Sequence, residues 1–155
     1  MQLAKRSEFH RLGLVLRYSY AGSPAVQPTR DSPSPTRGDV THYTPTTEPG
    51  ALLPHRWLPD GSSLYDRLGT GFTLVGPLKR DRPGVAEIAE RARRDGVPLT
   101  LFEPPQSSRW PDEFLLVRPD QHIAWRADDV SDIDLGPATG HDSQLTQPAA
   151  SLETL

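Results

Sequence analysis

The sequence predicts an α/β fold built on a small mixed β-sheet and preceded by an extended segment. Three observations carry that prediction. The stretch Phe114–Arg126, FLLVRPDQHIAWR, sets an apolar run against the turn signal Arg118-Pro119-Asp120-Gln121 and a second β-prone run, which is the pattern of a hairpin. Val85, Ile88, Ala89 and Ala92 recur at i, i+3, i+4 and i+7, one apolar face of a helix. Short apolar runs lie on either side of that helix, at Phe72–Val75 and Val97–Phe102. Strand, helix and strand in that order imply a parallel pair joined by a crossover, to which the hairpin adds an antiparallel pair.

Each element has a local reason. Leu12–Tyr20, LGLVLRYSY, is rich in β-formers and reads as a strand or extended packing segment, the remnant of an upstream domain over residues 1–20. Residues 21–50 are dominated by Pro, Ser, Thr, Asp and Gly, the composition of a linker that buries too little apolar surface to offset its ordering entropy. The compact domain is expected over 51–130. Within it Pro59-Asp60-Gly61 is a turn, Ser62 or Ser63 caps a short helix through Leu68, and Gly69 is expected to stop that helix in a left-handed conformation. Pro83 suits the first turn of the main helix, Arg91, Arg93 and Arg94 suit its last turn, and Gly96 ends it. In the hairpin the first strand is apolar on both faces and belongs inside the sheet. Alternation in the second places Ile123 and Trp125 on one face, opposite His122, Ala124 and Arg126. Residues 131–155 read as a flexible tail.

Composition narrows the function. In 155 residues there are 17 prolines and 12 glycines, only 35% of residues are hydrophobic, and the net charge is -3. That balance gives no argument for nucleic acid or a membrane surface as partner. Without cysteine, thiolate metal sites, disulfides and thiol redox chemistry are excluded. No apolar span approaches membrane length, and the N-terminus lacks a signal-peptide core, so a cytoplasmic location is expected. The histidines, at 10, 42, 55, 122 and 141, show no ligand spacing, so no metal site is expected. His55, beside Arg56 and Trp57, is the best placed for function. Asp60 and Asp66 read as turn and helix residues instead of a catalytic pair, and Arg91, Arg93 and Arg94 as a solvated helix face. Gly69-Thr70-Gly71 lacks the third glycine and the following helix of a dinucleotide loop; Walker and GxSxG motifs are also absent. No catalytic residue is expected.

Four motifs in order resemble one family. They are Pro54-His55-x-Trp57-Leu58; Asp60-Gly61-x-Ser63-Leu64-Tyr65-Asp66-x-Leu68-Gly69; Gly71-Phe72-Thr73-Leu74; and Leu116-Val117-Arg118-Pro119-Asp120-x-His122-Ile123-Ala124-Trp125-Arg126. Together they resemble the C-terminal domain of FAD-dependent aromatic-ring hydroxylases, the phenol, pentachlorophenol and polyketide monooxygenase type. The similarity runs from about Leu12 to Arg126. It implies a thioredoxin-like fold without CxxC. It also implies FAD and NAD(P)H for a full-length relative, but the family's cofactor-binding motifs lie on upstream domains, so no cofactor is expected on this chain.

Two departures from the family pattern matter. Gln121 stands where the family has glycine after Pro-Asp; in a left-handed conformation that costs on the order of 1 kcal/mol. The family's closing amphipathic helix is replaced by an acidic stretch broken at Gly136-Pro137. The expected function is that of a detached or truncated hydroxylase C-terminal domain, an association module inactive alone. A homodimer or a flavoprotein catalytic subunit is the expected partner, met through faces carrying Leu14, Leu16, Ile123 and Trp125. The alternative is a subunit binding a small aromatic molecule through Trp57, Tyr65, Phe72 and Trp125.

Overall fold

The hairpin sequence contains a strand with nowhere to show solvent, and the sheet is arranged around it. In the computed structural model, which describes residues 19–20, 23, 26, 45–106, 110–133 and 135–136, the four strands run in the order β2-β1-β3-β4. They are β1 (Phe72–Val75), β2 (Leu99–Phe102), β3 (Phe114–Val117) and β4 (Ile123–Ala127), with helix α1 (Arg82–Arg94) between the first two. β1 and β2 are parallel, as a crossover requires, and β3 is antiparallel to both β1 and β4. Every residue of β3 is buried. The segment Leu12–Arg17, most of the linker and the chain beyond residue 136 lie outside the described residues.

Alternation along β3 feeds two cores, one on each face. Phe114 and Leu116 meet Leu74, Trp125 and the α1 residues Val85, Ile88 and Ala92. Leu115 and Val117 meet Leu53, Leu64, Val75 and Ile123. Ile123 and Trp125 therefore lie on opposite faces, contrary to simple alternation. The cause is a bulge: Leu116 pairs with Trp125 while Val117 pairs with Ile123, so Ala124 is the extra residue that reverses the side-chain sequence.

Both ends of the domain extend past their expected bounds. Gly50 N–H donates to the Ile123 carbonyl (2.7 Å), Ile123 N–H to Ala51 (2.9 Å) and Leu53 N–H to Gln121 (2.8 Å), so residues 50–53 pair with the outer edge at the start of β4. Beyond β4 a 3-10 turn, Val130–Asp132, capped by Asp129, brings Val130, Ile133 and Leu135 into the helix-side core, each 2% exposed or less. These residues add to the cover of the helix-side core. The expectation that faces carrying Ile123 and Trp125 stand open is thereby overturned, because both side chains are buried. Leu14 and Leu16 lie outside the described residues.

Three local features decide the remaining geometry. α1 begins at the Asp81 cap, with Pro83 in its first turn, and ends before Gly96 at φ 70°. Gly69 is not left-handed. Its constraint is proximity, since a Cβ there would lie 2.0 Å from Thr100 Oγ1. Gln121 does adopt the left-handed conformation, at φ 67°.

The left-handed strain at Gln121, about 1–2 kcal/mol, exceeds the entropy that glycine adds to the unfolded chain, about 0.5–1 kcal/mol. Gln121→Gly is expected to stabilise the domain by about 0.5–1 kcal/mol, read as a raised urea midpoint at unchanged slope. Gly71→Ala should do the reverse by about 2 kcal/mol or more, because the new Cβ would meet the Pro98 carbonyl oxygen at 2.4 Å.

Candidate functional site

Six of the residues singled out in the sequence, His55, Trp57, Asp60, Gly61, Tyr65 and Asp66, fall on one knuckle, residues 54–68, ahead of β1. The Pro59-Asp60-Gly61 turn reverses the chain, with Gly61 at φ 80°, so that Trp57 bridges Ser63 and Leu64 N–H reaches the Arg56 carbonyl (2.9 Å). Ser63 then caps the 3-10 helix Leu64–Arg67 reciprocally. Its hydroxyl accepts from Tyr65 N–H (3.1 Å), while Asp66 Oδ2 accepts from Ser63 N–H (3.1 Å). Asp66 is thus a capping residue. Arg67 turns instead to Asp60 (2.5 Å), whose Oδ1 also accepts from the Ser62 hydroxyl (2.6 Å) and N–H (3.0 Å). The Ser62 hydroxyl, then its N–H, and the Arg67 guanidinium hold the Asp60 carboxyl below the usual carboxylate range.

This scaffold presents aromatic rings. Tyr65 is half-buried and donates its hydroxyl to the Leu53 carbonyl (2.5 Å). His55 Nε2 lies 3.0 Å from Ser63 Oγ, and its ring meets Tyr65 and Trp57 edge-on at 5.3 and 4.8 Å between centroids. Trp57 caps this stack and is 72% exposed, although aromatics at such positions are expected in the core. Beside it Arg56 lies over the Trp110 ring at 5.5 Å.

The hairpin turn forms a second polar corner. Arg118 donates to Asp120 Oδ2 (2.8 Å) and lies over the Tyr20 ring at 5.0 Å. His122 donates through Nδ1 to the Asp120 carbonyl (2.9 Å) and meets Tyr20 edge-on at 4.8 Å. Pro119 and Asp120 are exposed, so this corner holds the turn and no buried ionic centre. In the sequence Tyr20 reads only as the end of the extended segment Leu12–Tyr20. Its contacts are made over a separation of about a hundred residues that no local pattern encodes.

The arrangement carries no catalytic constellation among the described residues. His55 and His122 belong to the two different corners, and no group of three metal-ligating side chains converges. Arg93 pairs with Glu90 (2.5 Å) and Arg94 with Asp95 (3.4 Å), as a solvated helix face does. No described helix is long and apolar enough to cross a membrane. The β1–α1 junction, where a dinucleotide pyrophosphate would need free N–H donors, does not fit FAD. There the Asp81 carboxylate accepts from Gly84 N–H (3.1 Å) and puts negative charge where a phosphate would sit. Nor do the four aromatics of the ligand-binding alternative converge. Trp125 and Phe72 belong to the helix-side core, Tyr65 to the other, and Trp57 to the surface.

Two outcomes follow from this geometry. Trp57→Ala should change stability by no more than about 0.5 kcal/mol, the range of ordinary surface substitutions, in thermal unfolding. Because its pKa is lowered in the folded state, Asp60 adds stability above the ordinary carboxylate range, and that contribution is lost as pH falls through the lowered value. Ser62→Ala should move the Asp60 titration midpoint upward, as followed by carboxyl NMR shifts.

Several known proteins are similar to this chain. The chain is 30% identical over 145 residues to the FAD-dependent monooxygenase apdD of Emericella nidulans, covering 86% of this chain and 23% of that protein. It is likewise 30% identical over 140 residues to a phenol 2-monooxygenase of a Pseudomonas species, covering 79% and 23%. Among solved structures, the flavin-dependent monooxygenase PieE, in complex with FAD and substrate, superposes with a TM-score of 0.64 at 31% identity, over 84% of this chain and 25% of PieE. The rebeccamycin biosynthetic enzyme RebC, with reduced flavin, gives 0.68 at 29%, over 88% and 25%. The chain thus spans about a quarter of the length of these relatives. Residues 46–147 match the family described as aromatic-ring hydroxylase, C-terminal, and with the four-stranded sheet and its motif-bearing knuckle this places the chain in that family.

Proposed function

We propose that the chain acts as the C-terminal association module of a FAD-dependent aromatic-ring hydroxylase, packing against the flavoprotein part and performing no redox step with its own residues. The observation that supports this most is Trp57. It belongs to the motif by which the chain resembles its family, yet at 72% exposure it adds little to the domain's own core. A large aromatic fixed by His55 and by the Trp57–Ser63 bridge, with Arg56 alongside, has the composition of an interface anchor. Its rigidity reduces the ordering entropy lost on docking. The knuckle also lies just after residue 46, where the family match begins.

The reading assigns FAD and NAD(P)H to that other part, in keeping with the blocked β1–α1 junction and the lack of cysteine. A thioredoxin-like scaffold in this role serves as a shape and not as a thiol carrier, and a cytoplasmic setting suits the cofactors.

The test is a chimaera in which residues 46–147 replace the matching domain of the phenol 2-monooxygenase relative. It is expected to retain stoichiometric FAD, while the chain by itself retains no flavin after incubation with FAD and gel filtration. Trp57→Ala should lower the temperature at which the chimaera releases FAD by several degrees while leaving the isolated domain's unfolding unchanged. Equal FAD release with and without Trp57 would remove the support for this reading, and a yellow preparation of the isolated chain would overturn it.

A further inference from the structure

The two edges of the sheet are treated differently. At the outer edge of β4, residues 50–53 of the same chain pair with residues 121–123. No such segment pairs with the β2 edge among the described residues. Phe72 N–H donates to the Pro98 carbonyl (2.9 Å) and Gly76 N–H to the Phe102 carbonyl (3.2 Å), so the even-numbered positions of β2 face β1. Strand alternation then turns the N–H and C=O of Leu99 and Leu101 outward, and neither residue has a further backbone partner among the described residues. Exposed edges are usually guarded by charge, a bulge or proline within the strand. β2 reads Leu-Thr-Leu-Phe, with no charged residue, and Leu101 is 41% exposed, one of two large hydrophobics exposed among the described residues.

We propose that this edge pairs with the β2 edge of a second copy of the chain, joining the two four-stranded sheets into one. The proposal is independent of the docking role given to Trp57, which lies on a different part of the surface. The strand is self-complementary about Leu101. With a two-fold axis there, Leu101 of each copy exchanges both backbone hydrogen bonds with its counterpart, and Leu99 lies opposite Glu103 of the other copy. Glu103 already has Lys79 as its ion-pair partner (3.5 Å), and pairing sets it opposite Leu99, so no like charges meet across the ladder. The opposing Leu101 side chains cover one another on the helix side of the sheet. A ladder this short buries less than the roughly 1,200 Å² of a permanent interface, so the dimer forms reversibly and at high protein concentration.

The experiment uses the whole chain in sedimentation and amide hydrogen exchange from dilute to millimolar protein. The average mass should rise toward that of a dimer, and the Leu99 and Leu101 amides should gain protection with concentration. Those of Thr100 and Phe102, already bonded to β1, should not. Leu101→Pro removes only an outward N–H and is expected to weaken the dimer about tenfold or more. If that variant fails to fold, Leu101→Lys, which sets two ammonium groups together at the axis, gives the same reading. A monomer at every concentration overturns the proposal. So does a dimer in which Leu99 and Leu101 gain no protection, or one that the Leu101 variants leave intact.

Discussion

A four-residue strand, apolar on both faces, must be covered from two sides by a chain that is short of hydrophobic residues. β3 meets that constraint by sitting between β1 and β4 and by dividing its side chains between two cores. At about 25 cal/mol per Å² of apolar surface, leaving either face open would forfeit much of a marginal stability. One face is covered by α1 and the turn Val130–Asp132, and the other by Leu53 and by the knuckle through Leu64. The knuckle is therefore structural on its inner side and presents Trp57 on its outer side, so one segment stabilises the domain and shapes its surface.

The polar side chains mostly tie segments together. Arg126 reaches Glu48 (3.0 Å) and Glu113 (3.7 Å), fastening the incoming chain to β4. Arg80 bonds the Asp112 carbonyl (3.0 Å) and that of Asp128, and lies over the Phe114 ring at 5.1 Å, holding three loops at one end of the sheet. These pairs are partly exposed, so each contributes modestly and their value is in fixing loop geometry.

The family resemblance and the structure weigh the motif residues differently. Asp60, Gly61, Asp66, Pro119 and Asp120 share a motif pattern because turns and caps demand those side chains at those spacings. Gly71 and Phe72 answer to close packing against Pro98 and to the helix-side core. Trp57 answers to neither demand, and that separates it from its neighbours in the same motif.

Much of the fold was legible in the sequence because its determinants are local. The period of Val85, Ile88 and Ala92 specified α1, the Arg118-Pro119-Asp120-Gln121 turn specified the hairpin, and the double-sided apolar run specified the place of β3 within the sheet. What stayed illegible depends on contacts between distant segments. Strand alternation assigned Ile123 and Trp125 to one face, and only pairing against β3 reveals the bulge at Ala124 that separates them. Gly50 reads as linker and residues 131–135 as tail, since nothing nearby in sequence shows which edge or face they cover. The sequence determined that Trp57 is a large aromatic beside a turn. The tertiary structure decided that it stands in solvent, because the space beneath the knuckle is already filled by Leu53, Leu64 and Tyr65.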